Sequence, residues 1–137
     1  MEDREDVGAK AEKVIKKLVQ TVPGKNYTKI ELTTGQIRKF LTAVNSLTNK
    51  IEVYKAQNEN VETLPENLVM EIKYLKVKIA YQAGRDKSRN NTVRNFVKDA
   101  ELFQHIDKIG NKLKAYEEFA RYIEALVAYH KFYGGKD

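Results

Sequence analysis

The chain has 137 residues, of which 42% are hydrophobic and 32% are charged, a composition typical of one globular domain with a highly charged surface. It contains no cysteine, which excludes disulfides, thiolate nucleophiles and cysteine metal sites. No apolar run approaches the roughly 20 residues that span a membrane, and the acidic first residues are unlike a secretory signal. We therefore expect a single helical domain over residues 1–137, in the cytoplasm and without a membrane partner.

The net charge of +6 is unevenly distributed along the chain. Residues 1–24 contain five basic and five acidic side chains, and residues 95–137 contain seven of each. Residues 25–94 contain thirteen basic and seven acidic side chains, so the whole excess lies in the middle of the chain. Such an excess favours a polyanionic partner, but a solvated helical surface explains the same counts.

Apolar residues recur at helical spacing from the N-terminal end onwards. A first amphipathic helix is predicted over residues 4–22, where a proline–glycine pair ends it, and residues 23–32 are expected to form a loop. Thr33 offers an N-cap for a second helix over residues 34–57, which a polar loop follows.

Three further helices follow. Pro65 is preorganised for the first turn of the third helix, which ends near Gly84. Because this helix has two apolar stripes, we expect it to be buried on more than one side. The second stripe consists of Met70, Tyr74, Val77 and Tyr81. A fourth helix is predicted from Thr92 to about Gly110 and a fifth over residues 112–133, so the fold class is all-α, a compact helical bundle of about five helices.

Few side chains could support catalysis. The two histidines, His105 and His130, do not lie at a metal-ligand spacing, and His130 falls on the packed stripe of the last helix. No glycine-rich phosphate loop is present, and the carboxylates are scattered. We therefore expect no enzymatic activity, no metal and no cofactor.

Recognition of a nucleic-acid backbone is the binding mode that the remaining residues favour, and RNA is the hypothesis considered. Most aromatic residues, Tyr74 and Tyr81 included, lie on or beside apolar stripes, so we expect them to pack in the core instead of stacking on bases. Basic side chains on the second and third helices and in the loop after them could neutralise phosphates. These candidate RNA-binding residues are Arg38, Lys39, Lys50, Lys73, Lys76, Lys78, Arg85 and Lys87.

Four segments carry a resemblance to a known family: LTTGQIRKF at 32–40, EIKYLKVKIAYQAGRD at 71–86, VRNFV at 93–97 and YIEALVAYHKFY at 122–133. They resemble the small helical subunit of type III-A CRISPR–Cas (Csm) effector complexes. The resemblance defines a family-like core over residues 32–137, whereas residues 1–31, the amphipathic helix and its loop, show none.

The resemblance implies a subunit without catalytic activity that stacks in several copies along the guide RNA–target RNA duplex and contacts its backbone. The implied partners are guide RNA, target RNA, further copies of the chain, the larger repeating backbone subunit and the large signature subunit. RNA cleavage would belong to the backbone subunit. Two alternatives stay open, a helical protein–protein interaction module without direct RNA contact and a metal-dependent nuclease.

Overall fold

The structure is a computed structural model that describes residues 6–135; Arg4 and Glu5, where the predicted first helix begins, lie outside this range. The described residues form six helices and one two-stranded antiparallel sheet. In chain order the elements are α1 (Val7–Leu18), β1 (Val19–Thr21), β2 (Thr28–Ile30), α2 (Thr34–Gln57), α3 (Glu66–Gly84), α4 (Thr92–Asp99), α5 (Leu102–Ile109) and α6 (Leu113–Phe132). The predicted helical fold is confirmed, with a small sheet added. Within the described range, no helix is both long enough and apolar enough to cross a membrane.

The small sheet replaces the end of the predicted first helix and part of the predicted loop after it. Asp6 is the N-cap of α1, and its Oδ1 accepts a hydrogen bond from the backbone N–H of Gly8 at 2.9 Å. The helix ends at Leu18, because the next three residues pair with Thr28–Ile30 in an antiparallel ladder. Gly24, at φ +74, supplies the left-handed residue of the connecting turn.

The long helices α2 and α3 have the predicted bounds. Thr33 caps α2 in a capping box: its Oγ1 accepts from the N–H of Gln36 at 3.1 Å, and the Gln36 side chain accepts from the N–H of Thr33 at 2.9 Å. Pro65 is the N-cap of α3, and Gly84 is its last residue. The two helices pack against each other, so their outer edges form a groove.

The predicted fourth helix is divided into α4 and α5. The break lies at Ala100 and Glu101, where Glu101 takes the left-handed φ of 54°. Ala100 is fully buried there, and its carbonyl accepts a hydrogen bond from the Tyr122 hydroxyl at 2.9 Å. Because the helix is broken at Ala100, its carbonyl has no helical partner, and the hydroxyl of Tyr122 on α6 supplies the hydrogen bond instead.

α6 is the central helix of the bundle and packs against α1, α2 and α5. This position accounts for its broad apolar surface. As predicted, His130 is buried, and its Nε2 lies 2.5 Å from the carbonyl oxygen of Leu32. That contact ties the end of α6 to the segment between β2 and α2.

Candidate nucleic-acid interface

A continuous groove runs between α2 and α3. It consists of three adjoining recesses: the first shares Lys39 and Tyr81 with the second, and it shares Tyr74 and Lys78 with the third. We call this surface the α2–α3 groove. On α2 it is lined by Gln36, Lys39, Phe40, Ala43, Ser46, Leu47 and Lys50, and on α3 and the following loop chiefly by Met70, Glu71, Tyr74, Val77, Lys78, Tyr81, Gln82, Arg85 and Lys87.

Five of the eight candidate RNA-binding residues line this groove. Lys39, Lys78, Arg85 and Lys87 are exposed, and within residues 6–135 none of them forms a salt bridge. Lys50 differs, because its Nζ lies 2.7 Å from Glu71 Oε1 across the groove. Among the described residues, the groove therefore presents four basic side chains without carboxylate partners and one, Lys50, that has such a partner.

Lys76 lies outside the groove and is engaged elsewhere. Its Nζ lies 3.0 Å from both carboxylate oxygens of Asp107 on α5, and 5.5 Å from the ring centroid of Phe103. Lys76 is one of the residues predicted to contact phosphates. The ion pair with Asp107 joins α3 to α5, and the phosphate contact of Lys76 stays a prediction.

Arg38 and Lys73 are exposed, but they do not line the groove. Arg38 directly precedes Lys39, and Lys73 directly precedes Tyr74. Successive residues of a helix are about 100° apart around its axis, so neither side chain points into the groove with its neighbour. On α2, therefore, the candidates Lys39 and Lys50 line the groove, whereas the candidate Arg38 lies on a different part of the helix surface.

The loop after α3 is held in place by one carboxylate. Asp86 Oδ1 accepts from the backbone N–H of Ser88 at 3.0 Å, and Oδ2 accepts from the N–H of Val93 at 2.8 Å and from the Ser88 hydroxyl at 3.0 Å. Partial burial raises the pKa of Asp86, but these hydrogen bonds and the nearby Arg94 together lower it below the ordinary value. An ionised Asp86 thus anchors the loop that carries Arg85 and Lys87.

The second apolar stripe of α3 is exposed, so the prediction that it is buried was wrong. The exposed fractions are 58% for Met70, 56% for Tyr74, 52% for Val77 and 65% for Tyr81. The opposite stripe of α3, from Leu68 to Ala83, is the one that packs in the core. The sequence contains one indication that this stripe is exposed. Tyr74 and Tyr81 are each followed four residues later by a cation, which is the spacing of neighbours on a helix surface.

Both tyrosines contact those cations. Lys78 Nζ lies 6.0 Å from the ring centroid of Tyr74, and Arg85 Cζ lies 5.7 Å from that of Tyr81. These distances fall within the range of cation–π attraction. The expectation that Tyr74 and Tyr81 pack in the core was therefore wrong, whereas it holds for Phe40, Phe96, Tyr116, Phe119 and Tyr122.

Within residues 6–135 no group of three or more histidine, aspartate and glutamate side chains could hold a metal ion. His105 is near carboxylates in sequence, but its Nε2 lies 2.8 Å from Lys10 Nζ, and its ring centroid lies 4.6 Å from that of Tyr122. The chemistry that the groove offers is attraction of an anion by basic side chains, beside exposed aromatic rings.

Comparison with known proteins gives one consistent result. A family model described as Csm2 Type III-A matches residues 6–136, including residues 6–31, where the sequence analysis found no resemblance. The CRISPR system Cms protein Csm2 of Streptococcus thermophilus is 37% identical over 128 residues, covering 93% of this chain and 91% of that protein. Proteins of the same name from Mycobacterium tuberculosis and Enterococcus italicus are each 36% identical, over 107 and 104 residues. These alignments cover 78% and 74% of this chain, and 79% and 68% of the two relatives.

Proposed function

The chain belongs to the Csm2 family of type III-A CRISPR systems, and from this membership and its basic groove we propose that it is a non-catalytic, RNA-binding structural subunit of a type III-A effector complex. Its partner chemistry is the sugar–phosphate backbone of guide RNA and target RNA. Several copies would stack along the duplex of these two strands. The larger repeating backbone subunit and the large signature subunit would be its protein partners, and catalysis would belong to them.

One observation carries the RNA contact: Lys39, Lys78, Arg85 and Lys87 line a single groove without carboxylate partners in the described part of the chain. Basic side chains that are not neutralised within the protein can replace the counterions of phosphates, which is the main source of affinity for nucleic-acid backbones. The two candidates that are already paired, Lys50 and Lys76, would contribute less.

The direct test compares the variant Lys39→Ala/Lys78→Ala/Arg85→Ala with a control of equal charge change. Lys13→Ala/Lys17→Ala/Lys114→Ala removes three exposed lysines on α1 and α6, away from the groove. We expect the groove variant to lose affinity for RNA by about tenfold or more at low salt, and the control to lose much less. Equal loss in the two variants would mean that only net charge matters and would remove the groove as the site.

Assembly contacts need a separate measurement. Protein partners recovered with the tagged chain after nuclease treatment are bound through protein surfaces, whereas partners that are lost depended on RNA. We expect the groove variant to retain the nuclease-resistant partners, since its fold and its other faces are unchanged. If the groove variant loses those partners as well, the groove is a protein interface, and the alternative of an interaction module without RNA contact is favoured.

A further inference from the structure

We propose that Tyr74 and Tyr81 stack on unpaired bases of the bound RNA, so that the α2–α3 groove distinguishes strands with accessible bases from continuous duplex. The inference rests on the proposed RNA-binding function and adds to it a contact that reads the base as well as the phosphate. It contradicts the sequence-based expectation that recognition is limited to the backbone.

Two large rings are exposed on a helix that has a complete buried stripe on its other side. Tyr81 is seven positions after Tyr74, so the two residues lie on one face of α3 and are about 10.5 Å apart along its axis. Val77 and Met70 extend the same line. A continuous exposed line of four large apolar side chains is typical of an interaction surface.

A cation lies close to each of the two rings. Lys78 lies over the ring of Tyr74, and Arg85 lies over the ring of Tyr81. Each cation is therefore close enough to its ring to attract the phosphate of a nucleotide whose base stacks there. Proteins that bind single-stranded nucleic acids combine these two features, a basic groove and aromatic side chains on which bases stack.

Space is available between the two rings. A recess of about 320 Å³ is lined by Tyr74, Val77 and Tyr81 from α3 and by Lys39 from α2. This volume is at the lower end of the range for small-molecule sites, and its walls are mostly apolar with a few polar groups, as in such sites. A flat, apolar base with a charged backbone fits a recess of this composition.

Charge argues against a second copy of the chain on this surface. Lys73 lies on one side of the tyrosine stripe, and Lys39 and Lys78 lie on the other. If two copies met through the same face, these cations would approach one another. Among the described residues, the carboxylates that line the groove are Glu71 and Asp86, and both already accept hydrogen bonds within their own chain. A nucleic-acid strand with exposed bases can place its bases against the apolar stripe and its phosphates near the cations beside it.

Paired RNA cannot make the same contact. In a continuous duplex each base face is covered by its neighbours, and proteins bind such RNA through phosphates and 2′-hydroxyl groups. Unpaired bases can turn outward and stack on tyrosine. The tyrosines therefore act where the RNA is single-stranded or where a base leaves the helix.

The experiment uses the full chain and two RNA strands of equal length, an oligoadenylate and an abasic ribose–phosphate strand, with affinities measured by fluorescence anisotropy. The variant Tyr74→Leu/Tyr81→Leu keeps apolar side chains but removes the rings, and Tyr74→Phe/Tyr81→Phe keeps the rings. Tyr27→Leu is the matched control, because Tyr27 is also exposed but does not line the groove. Circular dichroism melting curves show whether each variant folds.

We expect the leucine variant to lose affinity for oligoadenylate by about fivefold or more, the lower end of the effect of one base–aromatic stack, with unchanged affinity for the abasic strand. The phenylalanine variant and Tyr27→Leu should bind both strands like the unchanged protein. Equal loss on both strands, or no loss on either, would overturn the stacking inference. The alanine variant of Lys39, Lys78 and Arg85 separates the two proposals: if it binds the abasic strand with full affinity, the proposed function itself fails.

Discussion

Lys76 Nζ lies 3.0 Å from each carboxylate oxygen of Asp107, whereas Lys78, two residues later on α3, forms no salt bridge within the described residues. The two lysines therefore differ in how much charge they can offer to a phosphate. We predict that Lys78→Ala weakens RNA binding several-fold, and that Lys76→Ala has a clearly smaller effect. Anisotropy titrations of the two single variants at one salt concentration make the comparison.

The double variant Lys76→Ala/Asp107→Ala provides the control for this pair. It removes the ion pair with no change in net charge, so its affinity should equal that of the unchanged protein. A larger loss for Lys76→Ala than for Lys78→Ala would show that the α5 side of α3 contacts RNA and that the groove does not.

Glu71 places a negative charge in the groove, and its Oε1 lies 2.7 Å from Lys50 Nζ. Replacing it by glutamine keeps the shape of the side chain, removes this charge and releases Lys50. We predict that Glu71→Gln binds RNA about twofold or more tightly and with a steeper salt dependence, since one more cation is available to a phosphate. Glu124→Gln on α6, which is exposed and outside the groove, is the matched control. Weaker binding by Glu71→Gln would contradict the assignment.

Asp86 connects the stability of the loop after α3 to pH. Its folded-state pKa is lower than the ordinary value of 3.8, because hydrogen bonds to Val93 and Ser88 outweigh its partial burial. The stabilisation is therefore present above that ordinary value and is lost as the pH falls through the lower folded-state pKa.

We predict that Asp86→Ala lowers the free energy of unfolding at neutral pH by about 1 kcal/mol, as for the loss of a helix cap. Between about pH 5 and pH 2 the unfolding free energy of this variant should fall less steeply than that of the unchanged protein. Urea titrations across this range measure both quantities. Parallel pH profiles for the two proteins would show that the carboxylate does not stabilise the fold.

Tyr122 donates its hydroxyl hydrogen to the carbonyl of Ala100 at the break between α4 and α5. Both residues are fully buried, so Tyr122→Phe leaves a carbonyl without this partner in the core. We predict a loss of about 1–3 kcal/mol in the free energy of unfolding, measured by urea denaturation. The exposed Tyr27→Phe should change it by less than about 0.5 kcal/mol. Equal stabilities for the two variants would mean that the hydroxyl does not stabilise the break.

Local signals in the sequence were sufficient for the long helices. The capping residue Thr33, the proline at 65 and the apolar spacing of α2, α3 and α6 act within a few residues of one another, and the structure has these elements where they were predicted. The sheet and the break in the predicted fourth helix depend on distant partners. The β1 residues need Thr28–Ile30, and the break at Ala100 needs the hydroxyl of Tyr122.

The candidate site, like the fold, has some features that local sequence predicts and others that depend on distant residues. Sequence could identify exposed basic residues, and Lys39, Lys78, Arg85 and Lys87 do share one groove. It could not foresee that Lys76 meets Asp107, which is 31 positions away. It also could not distinguish a buried apolar stripe from an exposed binding stripe on α3, because helical spacing is identical in both cases.

The salt dependence of RNA binding tests the central claim most directly. A plot of log affinity against log salt concentration has a slope of about −0.7 for each phosphate that the protein neutralises on a single strand. If Lys39, Lys78 and Arg85 each contact a phosphate, their triple alanine variant should have a slope that is smaller in magnitude by about 2. The same slope for the variant and the unchanged protein would contradict the account, because the groove would then not be where the phosphates bind.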